Sequence, residues 1–289
     1  MFDLAQQICY PGDACRANED ITGWGKNYFF VMDGASCLSG MNVMGRGSDA
    51  AWMVGRVKCA LCQHLDADDP RPTGEILKEI ITDVRSDYIS VLREQGLHQP
   101  DDSPSAGLAL FRQRNGKLEF FGLGDCVGTA ILPDGSSFVS LDTNLPNLDN
   151  TVLEEMLHIH QRTGVPMLEA RSHCRELLLK NRKLRNHPEG YWILDLISDD
   201  GLANAREFSW ELTGEIKAGG FSDGFAQLSE LFGMYESYSD LFDAMQQNDL
   251  ETMFQTLCQA QDRDPDCNDF PRFKLRDDTC ALWGTFQAD

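Results

Sequence analysis

From Gly107 onward apolar residues recur at alternate positions, and the alternating runs are separated by the dipeptides Asn115-Gly116 and Asp134-Gly135. Leu108 to Arg112, Leu118 to Leu123, Val127 to Leu132 and Ser137 to Leu141 read as strands, because side chains of a half-buried strand alternate between core and solvent. Asn-Gly and Asp-Gly are the residues that two-residue hairpin turns demand, and such turns join only antiparallel neighbours. The middle of the chain is therefore expected to form antiparallel sheet.

The flanks add helices on either side of that sheet. The start, through Met32, reads as two strands around a turn at Ile21 to Lys26, the second being the aromatic and β-branched run Asn27 to Met32. Two helices follow. Ser48 is placed to cap the first, whose Trp52, Met53, Val57, Leu61 and Leu65 recur at helical spacing, and Thr73 to cap the second, whose apolar stripe runs from Ile76 to Leu92 and stops at Gly96. Tyr191 to Ser198 reads as strand, Ala226 to Phe232, Ser239 to Gln247 and Leu250 to Ala260 as helical, and Thr279 to Phe286 as a closing strand. That order suits an α+β protein in which two antiparallel sheets pack face to face with helices outside.

Composition narrows the class of function. With 289 residues and 42% apolar content the chain can bury a sizeable core. No apolar run is long enough to span a bilayer, and Met1 to Gln7 lack the basic start and apolar stretch of a signal peptide, so a cytoplasmic protein without membrane contact is expected. The ten cysteines lie scattered in apolar segments, which suits reduced thiols better than a disulfide frame. Cys59, Cys62 and His64 have no second pair at zinc-site spacing and read as part of a helix face. A formal charge of −21 repels phosphate backbones and argues against nucleic acid as a partner.

Part of the acidic excess follows a pattern. Aspartates recur where an apolar run meets a small-residue turn, at Phe29 to Gly34, Phe120 to Asp125, Gly220 to Gly224 and Arg276 to Thr279, with Glu19-Asp20 just upstream of the first. Carboxylates at strand ends can converge in space, and an oxygen-only cluster suits hard divalent cations. Each motif taken alone reads first as a turn or a solvated surface.

As an ordered set, Asn18-Glu19-Asp20, Val31-Met32-Asp33-Gly34, Gly124-Asp125, Ser222-Asp223-Gly224 and Asp277-Asp278-Thr279 resemble the metal-dependent serine/threonine protein phosphatases of type 2C, in their bacterial form. The resemblance runs from about Gly12 to Phe286. It implies a single catalytic domain over 1–289, built as a four-layer αββα sandwich, that hydrolyses phosphoserine and phosphothreonine in proteins. The attacking water would bridge two Mn²⁺ or Mg²⁺ ions. Asp33, Asp223 and Asp277 would hold the first ion, and Glu19, Asp33 and the Gly34 carbonyl the second. Asp20 and Asp278 would orient waters one layer out, and Asp125 would help hold a weaker third ion. Arg16 would clamp the phosphate with its guanidinium fork, although it stands one residue closer to Glu19 than is usual. Ala35 stands where eukaryotic relatives carry a histidine that protonates the leaving oxygen. Gln227 replaces a frequent acidic residue, so the third ion should be weak or missing.

Residues 142–190 are expected to form an insertion resembling the flap beside the family's active site. The stretch carries His158, His160, His173 and His187, which read as surface or packing residues. Between residues 171 and 186, Arg171, Arg175, Lys180, Arg182, Lys183 and Arg185 face Glu176 alone. That basic stretch either recruits phosphorylated protein, with a serine/threonine kinase as counterpart, or is a solvated helix face. Two other readings stay open: hydrolysis of a small phosphorylated metabolite, and a non-catalytic regulatory relative that binds a partner through the flap.

Overall fold

Asn115 (φ 53°) and Gly116 (φ 75°) both adopt the left-handed conformation, as a type I′ hairpin requires, in this computed structural model, which describes residues 1–45, 47–98 and 102–288. The turn joins strands β4 (Ser105–Arg114) and β5 (Lys117–Leu123), and the second turn joins β6 (Val127–Ile131) and β7 (Ser137–Ser140). The two hairpins belong to different sheets. Gly124 to Cys126 carries the chain across from one to the other, which places Asp125 at the crossover.

One sheet has the order β2 (Asp20–Gly25), β3 (Tyr28–Ala35), β4, β5, β9 (Arg206–Glu211), and the other β1 (Phe2–Tyr10), β11 (Thr279–Phe286), β10 (Ile216–Phe221), β6, β7. All their pairings are antiparallel. Alternation along β3 shows how the layers form. Phe29 and Val31 point between the sheets, where they meet Phe111, Phe120, Ala218, Leu282 and Phe286. Phe30 and Met32 point outward, onto α1 (Asp49–Asp66) and α2 (Thr73–Glu94). The far face of the second sheet, through Val127, Phe221 and Ala281, buries α7 (Asp223–Glu230), α8 (Tyr238–Gln247) and α9 (Leu250–Arg263). The result is the expected helix, sheet, sheet, helix order.

Three local expectations fail, and one strand is unanticipated. Ile21 to Gly25 is strand β2, and the turn is Lys26-Asn27. Gly23 looks like a turn signal but makes room for the Phe30 ring, which a Cβ there would approach at 2.2 Å. Thr73 is the first residue of α2 and not its cap; Pro72 holds the cap position without a side-chain hydrogen bond. Of Tyr191 to Ser198 only Leu194–Asp195, β8, pairs as strand, against β4. Asp195 ends it by turning back to accept from Ile197 N at 2.7 Å, a local bond that competes with the ladder. β9, not expected from the sequence, carries Phe208 and Trp210 at alternate positions yet is half-exposed or exposed throughout.

Residues 142–190 carry three helices, α3 (Asn144–Thr163), α4 (Met167–His173) and α5 (Arg175–Arg182). They bury a small core of their own, with Val152, Met156, Met167 and Ala170 packed against Cys267 and Phe273. That contact ties the segment to the loop leading into β11.

Candidate metal and phosphate site

Strand register and the turns at strand ends bring Asp20, Asp33, Asp125, Asp223 and the Asp277-Asp278 pair to one end of the sandwich. Asp20 lies opposite Asp33 across β2 and β3, and Asp33 lies opposite Gly107 of β4. A Cβ on Gly107 would stand 3.2 Å from Asp125 Oδ1, so Asp125 overhangs that glycine. In the other sheet Phe221 pairs with both Val127 and Ala281. Asp223, just past Phe221, therefore lies between Asp125, just before Val127, and the Asp277-Asp278 pair that precedes β11. Gly224 is required here because a Cβ would fall 2.0 Å from the Asp278 carbonyl oxygen.

The cluster is electrostatically strained. Burial, with Asp20, Asp223 and Asp125 adding their charges, pushes Asp33 well above the ordinary carboxylate range. Asp33 and Asp223 hydrogen bond side chain to side chain, and Asp223 is raised to about 6 by burial and Asp277. Asp20, only 4% exposed, is raised by burial, against the Ser222 hydroxyl that opposes it, with Asp223, Asp277 and Asp278 adding to the rise, and its Oδ2 has no hydrogen-bond partner. Burial, then Asp223 and Asp149, raise Asp125. A buried acceptor left unpaired is costly. Hard-cation ligation satisfies such an atom and relieves the mutual repulsion of the set, so the residues fit a divalent-cation site.

The remaining expected residues have definite places. Asp277 Oδ1 accepts from Lys274 Nζ at 2.5 Å, and the ammonium is held above its usual pKa because Asp277, Asp223 and Asp33 outweigh the burial that opposes it. Asp278 does not face solvent: its oxygens accept from Gly12 N (2.8 Å) and Glu19 N (2.7 Å), which fixes the turn from β1 to β2. Glu19 O accepts from Gly34 N at 3.1 Å, and its carboxylate takes the Ser36 hydroxyl. Gln227 is turned to Gln261, whose Nε2 donates to it at 3.0 Å. Arg16 is 80% exposed and pairs with Asp13 at 3.5 Å. Among the described residues no three His, Cys, Asp or Glu side chains already stand at mutual ion-holding distance, so ion binding would need these side chains to draw together. All ten cysteines are free, and His64 binds Asp69 at 2.9 Å, not a metal partner.

Three residues near the cluster escaped the sequence motifs. Asp149 of α3 is raised to about 7 by burial and Asp223, with Arg182 and Arg171 opposing. Lys274 lies in a loop without a motif, and Arg171 was one cation among six. Nothing in the local sequence distinguishes them, because only the packing of the helical segment on the 264–278 loop brings them here.

Comparison with solved structures decides the fold. The chain superimposes over its whole length, and over 99% of the other chain, on the serine/threonine phosphatase PstP/Ppp of Mycobacterium tuberculosis, with a TM-score of 0.57 at 14% identity. Its architecture is that of the bacterial type 2C phosphatases. PppA of Pseudomonas aeruginosa, a regulatory component of type VI secretion, matches with a TM-score of 0.53 at 13% identity, covering 100% of this chain and 98% of that one. The catalytic domain of PstP in complex with two manganese ions matches at 0.52 and 16% identity, over 100% and 99% of the two chains. No family profile and no curated protein matches the sequence. At such identities the likeness carries the type 2C fold and not the chemistry, which rests on the acids described above.

Proposed function

We propose that this protein is a divalent-cation-dependent phosphatase that removes phosphate from phosphoserine and phosphothreonine in proteins. The carrying observation is the convergence of Asp20, Asp33, Asp125, Asp223 and Asp277 from both sheets, with a buried carboxylate oxygen on Asp20 left without a partner. Asp33, Asp223 and Asp277 would hold one Mn²⁺ or Mg²⁺, and Glu19, Asp33 and the Gly34 carbonyl a second. Asp125 would contribute to a weaker third, with Gln227 committed elsewhere. Bound ions supply an ionised water at neutral pH and neutralise the phosphoryl oxygens.

The chain's own groups do the rest. Asp33 sits centrally between Asp20 and Asp223, as a shared ligand must. Asp278 anchors the turn that presents Glu19. Asp277 Oδ1 is taken by Lys274 Nζ and Asp278 N, which leaves Oδ2 as the oxygen it can offer to an ion. Residues 1–289 act as one catalytic unit, with 142–190 as a cover over the acids. A phosphoprotein made by a serine/threonine kinase in the cytoplasm suits the exposed cations of that cover, Arg175, Lys180 and Lys183. The charge of −21 disfavours nucleic acid, and among the described residues no helix is long and apolar enough to cross a membrane.

The test is dephosphorylation of a phosphoserine peptide by wild type and by Asp33→Asn, in chelator and after Mn²⁺ is restored. Activity should need both the metal and Asp33. Full activity in chelator overturns the proposal.

A further inference from the structure

A phosphate dianion approaching five clustered carboxylates needs a cation of its own, and the candidates differ in how free they are. Arg16 is turned to solvent beside Asp13. Arg185, whose side chain is 3% exposed, is spent on Asp195 at 2.8 Å and Asp102 at 3.7 Å. Arg182 donates to Ser36 O at 3.3 Å and to Ser105 Oγ at 3.5 Å. Arg171 differs from these. Among the described residues its guanidinium makes no hydrogen bond and no ion pair, and it is held in place by stacking over the Phe273 ring, with Cζ 5.6 Å from the centroid. The acids that act on it most are Asp277 and Asp149, neither within ion-pair reach. A half-buried guanidinium with all five donors unclaimed, stacked on the loop that carries Asp277, is incomplete without an anion.

Resting on the phosphatase reading, we propose that Arg171, carried on α4 and braced by Phe273, grips the phosphoryl oxygens of the substrate in place of Arg16. The fork of a guanidinium matches two phosphate oxygens at once, which a lysine ammonium cannot do. Phe273 lies in the same loop as Asp277, so the stack fixes the distance between the anion grip and the acid cluster.

The test compares Arg171→Met, which keeps an apolar stem on Phe273, Arg171→Lys, which keeps the charge, and Arg16→Ala, all in the full chain with Mn²⁺ saturating. Arg171→Met should raise KM for a small aryl phosphate and the inhibition constant of inorganic phosphate about tenfold or more, the scale of a lost charge-assisted contact. Arg171→Lys should recover part of that loss, and calorimetric Mn²⁺ affinity should stay within about twofold, since a residue that touches only the anion leaves ion ligation alone. Unchanged constants in Arg171→Met, or a larger rise in Arg16→Ala, overturn the assignment. If Arg171→Met does not fold, a KM in Arg171→Lys equal to wild type does the same. An inert wild type counts against the phosphatase reading instead. In that case calorimetric binding of inorganic phosphate decides: weaker binding to Arg171→Met supports the contact, and equal binding overturns it.

Discussion

Replacing Asp223 with Asn should have opposite effects on stability with and without divalent ions. In the ion-free protein Asp223 titrates at about 6, against an ordinary 3.8, because burial and Asp277 disfavour its charge. The sign follows from linkage. A carboxyl whose folded pKa lies above its unfolded value favours folding below the unfolded pKa, and this contribution is lost as pH rises through the folded value. Ion-free wild type should thus lose stability between about pH 4 and 7. The shift corresponds to about 3 kcal/mol at pH 8 as an upper bound, and sharing a proton with Asp33 reduces it, so Asn should recover about 1 to 2 kcal/mol. For a chain of this length that is a Tm increase of about 2 to 8 °C. Saturating Mn²⁺ should reverse the order, since wild type then gains charged ligation that the neutral amide of Asn supplies only weakly. Thermal unfolding in chelator and in Mn²⁺, at pH 5 and pH 8, reads both effects. A lower Tm for Asp223→Asn in chelator at pH 8, or a wild-type Tm that does not fall between the two pH values, refutes the reasoning.

Asp33→Asn should lower turnover by orders of magnitude at saturating Mn²⁺ while the fold survives, checked by steady-state kinetics beside circular dichroism; wild-type kcat would remove its bridging role. Asp264 accepts from Asn268 N, Asp269 N and Phe270 N, and pairs with buried Arg272 at 2.8 Å. Asp264→Ala should cost about 3 to 5 kcal/mol in urea unfolding by stranding that guanidinium. Despite the burial that opposes it, Arg272 and these amides hold Asp264 below its usual pKa, so its contribution should be present at neutral pH and disappear as pH falls through the depressed value. Replacing exposed Arg175, Lys180 and Lys183 together with Gln should lower kcat/KM for a phosphoprotein more at low salt than at high salt and barely affect a small aryl phosphate. Equal losses on both substrates would make the stretch structural, and no loss on either would return it to a solvated face.

The basic stretch shows where reading by composition stops. Six cations in one window read as a single stretch, either recruiting phosphorylated protein or solvated, but the structure splits them by environment. Arg185 is buried in ion pairs, Lys180 and Lys183 lie in solvent, and Arg171 stacks on an aromatic ring from a distant loop. The same holds for the acids of the C-terminal motif. Asp277 faces the cluster, whereas its neighbour Asp278 is consumed by the amides of Gly12 and Glu19. Adjacent residues of one type thus have different roles according to what packs against each of them.

Local rules recorded in the sequence settled most of the layers. Period-two alternation and Asn-Gly chemistry specified antiparallel hairpins, and helical spacing specified α1 and α2, because both depend on residues within a few positions of one another. The aspartates at strand ends were likewise legible, since a strand's exit point is local. What only the tertiary structure decided was which ends meet. The β5 to β6 crossover sends two similar hairpins into different sheets, the register lines up Asp20, Asp33, Asp125 and Asp223, and the helical segment docks on the 264–278 loop to bring in Asp149, Arg171 and Lys274. Those choices rest on burying apolar faces between residues far apart in the chain, a contribution that no short window of sequence records.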